Sequence, residues 1–591
     1  MNSLEPRKGK RIPCYAHGTY REETTITMSR DSLSQIVTRR AATSQREQAD
    51  PREVKNYAGG YIYETAKVSA LDRFLTIGTE GGTFYANEKD LTKVAAGRVL
   101  EMARAGDPLL IERATAISQA GRAPRNNPAL FAIAAAAGLG PDDYRQQALA
   151  ALPLVARTGS HLLTWAGYAE QFRGWGPAMT KAVGGWYTGK DLSEVVYQVL
   201  KYKSREGWAQ RDLMRLAHFG RTPVSGDRKL FYDFIMKGTW PSRWLDGTEV
   251  PDLIGAYRQI WSTTDPRYWA RIIEDYNGTR TTGKLTHEML PSEALARPEV
   301  WEALLFTGLP TGTLIKRLGQ MTKLGVVAPF SNATLEVTRR LTDQAGLARA
   351  RIHPIEMLLA SKTYASGHGT RGQDTWNPVA QVIDAMSDGF YAAFGGAEPS
   401  GKRFNLAVDV SGSMAHPAGG LGLSCREVAA ALALATAASE PNHVITGFCD
   451  GPYPSRWSTI NGMGSGIAPL PISPRQRIDD VLHAMDRIPM GGTNCALPMI
   501  WAEQGGLAID VFTIITDNET WAGDIHPMQA LRRYREVSGI DAKLVVVAVT
   551  PTNFSIADPA DLGSLDISGF DSAVPRLISN FARGWDERPA A

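Results

Sequence analysis

Between residues 404 and 550 short apolar runs alternate with helical patterns, and this alternation constrains the fold more than any other feature of the chain. The runs 404–410, 444–448, 511–516 and 543–550 are brief, continuous and rich in β-branched residues. Those are the marks of strands buried on both faces. The stretches 426–438, 478–488 and 528–537 between them carry helical patterning. Strand and helix in alternation predict an α/β doubly wound, mainly parallel sheet, and such sheets bind ligands at the carboxyl ends of their strands.

Oxygen donors sit at those ends. Asp409, Ser411 and Ser413 follow the first run in Phe404-Asn-Leu-Ala-Val-Asp-Val-Ser-Gly-Ser-Met414. Gly491-Gly492-Thr493 offers a hydroxyl, and Thr516-Asp517-Asn518-Glu519 offers a carboxylate after the strand 511–515. Hydroxyls and carboxylates without His or Cys suit a hard divalent cation, Mg²⁺ before others. Asp-x-Ser-x-Ser alone is also an ordinary turn or cap. The Thr and the second Asp, each in its own loop and in order, favour the metal reading. The five residues resemble the metal-ion-dependent adhesion site of a von Willebrand factor A domain. That resemblance implies direct metal contact by the two Ser and the Thr, contact through water by the Asp residues, and an open position for an acidic ligand.

A chain of 591 residues accommodates roughly two to four domains. It contains no apolar run long enough to span a bilayer, and the basic start 1–10 is followed by polar residues rather than a signal-peptide core. A cytoplasmic location without membrane contact is expected. Cys14, Cys425, Cys449 and Cys495 form no Cys-x-x-Cys pair, and most of them read as buried thiols. Charge is unevenly divided: residues 401–591 hold 14 Lys and Arg against 20 Asp and Glu, a net of −6, so the overall +3 leaves +9 to residues 1–400. The basic part is suited to a polyanionic partner.

Three regions follow from patterning. Residues 1–50 are polar, have no sustained period and read as a mostly disordered arm. Residues 51–398 carry successive short helices with Gly, Pro and Asn at the joints, among them 91–104, 108–119, 128–137, 142–157, 192–202, 208–218, 291–307, 333–344 and 355–365. Helices without intervening strands suggest an α-solenoid of divergent repeats. Residues 399–591 form the α/β domain.

The densest basic segment is Lys201-Tyr-Lys-Ser-Arg-Glu-Gly-Trp-Ala-Gln-Arg-Asp-Leu-Met-Arg-Leu-Ala-His-Phe-Gly-Arg221. As a helix it aligns Lys201 with Arg205, and Arg211 with Arg215 and His218, opposite a buried face of Leu213, Leu216 and Ala217. A cationic stripe beside Trp208 is suited to phosphate contact, although a solvated helix face produces the same pattern.

The wording of this segment resembles the Ro ribonucleoprotein autoantigen family, whose members join a ring of helical repeats, the TROVE module, to a von Willebrand A domain. The likeness continues in Phe74-Leu-Thr-Ile-Gly-Thr-Glu-Gly-Gly-Thr-Phe-Tyr85, Trp175-Gly-Pro-Ala-Met-Thr-Lys-Ala-Val-Gly-Gly-Trp-Tyr187, Ala350-Arg-Ile-His-Pro354, Gly367-His-Gly369, Gly401-Lys-Arg-Phe404, Leu497-Pro-Met-Ile-Trp501 and Ile556-Ala-Asp-Pro559. The resemblance implies an RNA-binding scaffold rather than an enzyme: a HEAT-like toroid, monomeric as a protein, that binds a Y-like small noncoding RNA on its outer face. Its central hole would admit the single-stranded 3′ end of misfolded or structured RNA. A 3′-to-5′ exoribonuclease such as polynucleotide phosphorylase would supply the chemistry in RNA quality control or processing. Lys201, Arg205 and His218 match family positions associated with RNA contact. Lys203, Arg211, Arg215 and Arg221 join them on charge and spacing alone.

The chain departs from the family in two places. The 1–50 extension has no counterpart, and Asn494 follows Thr493 where many members carry an acidic residue. A second function, metal-dependent adhesion to a protein partner, rests on the oxygen cluster. An enzymatic reading lacks a general base in the motif and a phosphate-binding loop, and His416 near Ser413 reads as a loop residue.

Overall fold

The computed structural model describes residues 42–78, 88–218, 226–245, 252–369 apart from 264 and 266, 373–450 apart from 421, 466–485 apart from 475, and 490–584. Residues 42–591 belong to a single compact unit.

The α/β part is built on a six-stranded sheet. Its strands are β5 (Phe404–Asp409), β6 (His443–Phe448), β7 (Ile467–Pro469), β8 (Val511–Thr516), β9 (Lys543–Ala548) and β11 (Ser564–Ser568). They lie in the order β11-β9-β8-β5-β6-β7, and only the β7 edge runs antiparallel. The alternation in sequence thus becomes the expected doubly wound sheet.

Period-two patterning assigns its two faces. Leu406 and Val408 of β5, Val511 and Ile515 of β8, and Val545 and Val547 of β9 enter a core continuous with the helical region. Ala407, Phe512, Ile514, Leu544 and Val546 enter a second core beneath the helices Leu497–Gln504 and Pro527–Ser538. Successive side chains of a strand point to opposite faces, so both must be apolar here.

The remaining strands build small sheets. Strands β1 (Glu53–Lys55) and β2 (Tyr61–Glu64) form a hairpin, and β2 pairs with β10 (Phe554–Ser555) of the α/β part. The segment 42–64 is therefore built onto the C-terminal domain. Gln45 is fully buried there, and His526 holds the carbonyls of Ser44 and Glu47 at 3.0 and 2.9 Å. Residues 42–50 are thus packed, against the expectation of a disordered arm through residue 50. The polar side chains that argued for disorder instead satisfy loop atoms of the α/β domain. The rest of that expectation, 1–41, lies outside the described residues.

The described residues of 67–393 are mostly helical, and local chemistry places the helix ends. The Asp107 side chain caps Pro108–Ala120 by accepting from Leu109 N, Pro108 supplies the first-turn φ, and Gly121 at φ 66° closes the helix in the left-handed region. Asn127–Leu139 is Ala-rich and buried nearly all round, so it runs through the core with other helices against it. The helical course returns on itself. His353, which caps Pro354–Ala365, reaches the carbonyl of Arg122, 231 residues earlier. The helical part also packs tightly on the sheet domain: Lys362 Nζ lies 2.6 Å from Glu427 Oε1, Thr76 Oγ1 2.6 Å from Ser568 Oγ, and Arg73 and Arg122 pair with Asp566 and Asp571.

Candidate metal centre and nucleic-acid interface

Parallel pairing of β5 with β8 brings Asp409 and Asp517 to the same edge of the sheet, at the carboxyl ends of neighbouring strands. Asp409, Ser411, Ser413, Thr493 and Asp517 are all buried, none more than 3% exposed. The loops interlock through the backbone, since Gly412 N donates to Gly491 O at 3.0 Å. Asp409 Oδ1 accepts from Ser411 N at 2.9 Å and Oδ2 accepts from Thr516 Oγ1 at 2.6 Å. The Ser411 and Ser413 hydroxyls lie 3.1 Å apart, and Ser413 also bonds the Asp517 carboxyl. The structure joins Asp409, Ser411, Ser413 and Asp517 in one hydrogen-bonded group, and the backbone bond from Gly412 to Gly491 ties the loop of Thr493 to it.

Two observations fit this cluster to a cation. Thr493 Oγ1 is buried without a hydrogen-bond partner among the described protein atoms, which leaves it open to a water or an ion. Burial, and then the neighbouring Asp517, push the Asp409 carboxyl up to about 7, and burial raises Asp517 as well. Two dry carboxyls side by side require a proton or a metal ion between them. The donors are all oxygen, and three are neutral hydroxyls. The residues therefore fit a hard divalent ion such as Mg²⁺.

Sequence reasoning missed the groups that hold these residues in place. Arg426 on the buried helix Cys425–Ser439 donates to Val410 O at 3.1 Å and so fixes the first loop. Gln45 Nε2 bonds Asn494 Oδ1 at 2.9 Å, and Gln45 Oε1 accepts from Thr520 Oγ1 at 2.5 Å. The N-terminal segment thus grips both the Thr493 loop and the Asp517 loop. Glu519 lies beneath it, its Oε2 accepting from Ala58 N at 2.9 Å; burial, then Asp517, raise its carboxyl to about 9. Cys425, Cys449 and Cys495 are buried thiols, as expected; Cys14 lies outside the described residues.

The basic segment differs from its prediction. The helix Leu192–Lys201 ends at Lys201, and a hairpin of β3 (Ser204–Arg205) and β4 (Trp208–Ala209) precedes the helix Gln210–Leu216. Glu206 and Gly207 both have positive φ, 51° and 84°, the signature of a tight two-residue turn. Lys201 and Arg205 are therefore not one helical turn apart. Lys201 is also not an exposed cation: its side chain is 8% exposed, lies over the rings of Tyr197 and Tyr202 at 5.3 Å and sits 4.0 Å from Glu288. Trp208 is not free either, because its ring packs 5.5 Å from that of Trp175.

The rest of the segment retains the predicted character. Lys203, Arg205, Arg211, Arg215 and His218 are exposed, while Leu213 and Ala217 are buried opposite. His218 follows the helix at φ 55° and borders a cavity of about 620 Å³ that Trp175, Lys181 and Thr188 also line. Arg221 lies outside the described residues.

Comparison with known proteins agrees with this architecture. The TROVE domain family matches residues 54–241 and 277–365, and the Ro60 vWA domain family matches 403–582. The chain is 37% identical over 546 residues to the RNA-binding protein RO60 of Deinococcus radiodurans, covering 91% of this chain and 97% of that protein. It is 32% identical over 612 residues to the RNA-binding protein RO60 of Caenorhabditis elegans, covering 91% of each. The crystal structure of the Deinococcus radiodurans RO (RSR) protein superposes with a TM-score of 0.64 at 35% identity, covering 88% of this chain and all of that one. With both domains matched in order and along nearly its whole length, the chain belongs to the Ro60 family.

Proposed function

We propose that this protein is a non-catalytic RNA-binding scaffold. The observation that supports it most is the agreement between relatives named for RNA binding, aligned over 91% of this chain, and the exposed set Lys203, Arg205, Arg211, Arg215 and His218 on the helical part. Exposed surface cations at short spacing provide phosphate contacts whose affinity is sequence-independent and salt-sensitive. In the finer reading a Y-like small RNA lies on this outer face, and the helical ring admits single-stranded 3′ ends of misfolded or structured RNA. A 3′-to-5′ exoribonuclease such as polynucleotide phosphorylase then carries out degradation or trimming. None of the described helices is long and apolar enough to cross a membrane, in keeping with action in the cytoplasm.

Filter binding with a structured RNA bearing a free 3′ tail tests this reading. His218→Ala and the pair Arg211→Ala with Arg215→Ala should weaken binding and flatten its salt dependence. Unchanged affinity and slope in both variants would show that RNA does not use this surface.

The oxygen cluster favours a second role that can coexist with the first. With Mg²⁺ held by Asp409, Ser411, Ser413, Thr493 and Asp517, the ion would offer an acidic side chain of a protein partner a coordination position. The buried, unpartnered hydroxyl of Thr493 supports that reading. Pull-downs with and without chelator, comparing wild type with Asp409→Ala, separate the roles: a metal-dependent partner should be lost while RNA binding persists.

A further inference from the structure

Tyr257 and Trp261 stand one turn apart on the helix Asp252–Ser262, so both rings occupy one face. Their centroids are 5.9 Å apart at 45°. Trp261 is 49% exposed, yet its Nε1 donates to Met289 O at 2.9 Å. The indole is thus pinned at its edge while half of its surface meets solvent. A single exposed aromatic needs no explanation, but this one carries a cation as well. Lys203 Nζ lies 5.1 Å from the Trp261 centroid and 5.4 Å from that of Tyr257. Among the described residues no carboxylate pairs with Lys203.

We propose that Tyr257 and Trp261, with Lys203 over them, form a stacking platform for an unpaired nucleobase of bound RNA, the ammonium meeting the adjoining phosphate. The proposal rests on the RNA-binding reading and specifies what part of an RNA this surface takes. An aromatic face held in a fixed orientation stacks on any base, and a lysine beside it adds the charge that a nucleotide requires. The position is apt: Lys203 leads directly into the hairpin of the exposed Arg205, and Met289, which anchors Trp261, follows the Glu288 that faces Lys201. A protein ligand would explain the apolar rings but not the unpaired ammonium, unless it were acidic. Tyr257 and Trp261 lie in 242–276, the stretch between the two segments that match the TROVE family, and Lys203 lies within the first of those segments.

The test uses the full-length protein and two fluorescein-labelled RNA hairpins, one with an unpaired oligoadenylate stretch and one in which the unpaired residues are abasic. Trp261→Ala should weaken binding of the adenylate hairpin about tenfold and of the abasic hairpin by no more than about twofold. Trp261→Phe should retain most of the affinity. Tyr257→Ala, which leaves the bond from Trp261 to Met289 in place, should show the same preference and serves if Trp261→Ala unfolds the protein. The platform is refuted if both alanine variants bind the adenylate hairpin like wild type, or lose equally on both hairpins. Failure of the wild-type protein to bind either hairpin would instead refute the RNA-binding reading, and the platform with it.

Discussion

His353 Nε2 lies 2.9 Å from the carbonyl oxygen of Arg122, and the same nitrogen lies 3.1 Å from the carbonyl of Phe570. Nδ1 accepts from Ile355 N at 3.1 Å, so the single proton of the neutral ring sits on Nε2 and is shared by the two carbonyls. One imidazole thus joins an early helical joint, a late helix cap and the α/β domain. Burial lowers this His to about 4.

The consequence for stability has a definite sign. A His with an ordinary value near 6.5 unfolded and about 4 folded favours the native state while it stays neutral. Its contribution is complete above about pH 6.5 and falls away between there and pH 4, by on the order of 3 kcal/mol. Urea unfolding of wild type should show a loss across that window that is smaller in His353→Gln. An identical pH profile for the variant would mean that other groups carry the acid sensitivity.

His526 has the opposite sign. Burial pulls it down, but the Glu53 carboxylate 3.1 Å from Nδ1 and the carbonyls of Glu47 and Ser44 at Nε2 outweigh burial and raise it above its usual range. Both nitrogens face acceptors only, the arrangement of a protonated ring. Its tie to the N-terminal segment is therefore fully present below the unfolded value near 6.5 and is lost as pH rises through the higher folded value. Limited proteolysis within 42–60 should accelerate on moving from pH 6 to pH 8.5, and His526→Ala should remove the difference. Equal cleavage rates at both pH values in wild type would discount the tie.

Legibility in the sequence followed what local chemistry can specify. The strands 404–410, 444–448 and 511–516 were legible because a doubly covered strand is mostly apolar on both faces, and Asp409, Ser411, Ser413 and Asp517 stood out because they lie at or just after the ends of such strands. The segment 201–221 was misread for a physical reason. Its charge spacing suits a helix, but the tight turn at Glu206 and Gly207 breaks it, and no periodicity argument registers a two-residue hairpin. The burial of Lys201 among Tyr197, Tyr202 and Glu288 depends on partners up to 87 residues away, which spacing cannot reveal. Asn494, a departure from the family, accepts locally from Ala496 N and also from Gln45, nearly 450 residues earlier, a contact that spacing cannot reveal.

Thr493 permits a test of the metal centre that does not depend on a partner. Without a cation, replacing a buried hydroxyl that has no partner by a methyl should be close to neutral or mildly stabilising. With a cation, the same change removes a ligand. Wild type should gain about 2.7 kcal/mol of unfolding free energy at a Mg²⁺ concentration 100 times its Kd, and Thr493→Val should gain far less. A wild-type unfolding curve indifferent to Mg²⁺ and to chelator would rule out this cluster as a Mg²⁺ site.

Lys201 and Arg205, paired in the sequence as equivalent phosphate contacts, should behave differently in RNA binding. Arg205 is 55% exposed and, among the described residues, its carboxylate partner is the adjacent Glu206 at 3.5 Å, so it is available to a phosphate. Lys201 is enclosed by two rings and a carboxylate, and its charge is already matched. Arg205→Ala should therefore lower the slope of log K against log salt by about 0.7 to 0.9, the loss of one phosphate contact, with a modest fall in affinity. Lys201→Met keeps the apolar stem but leaves Glu288 without that cation, and it should leave the slope unchanged while lowering the thermal midpoint. Binding isotherms from about 50 to 300 mM salt distinguish the two. A reduced slope in Lys201→Met would mean that RNA draws Lys201 out of its cage, making the cage a state of the free protein alone.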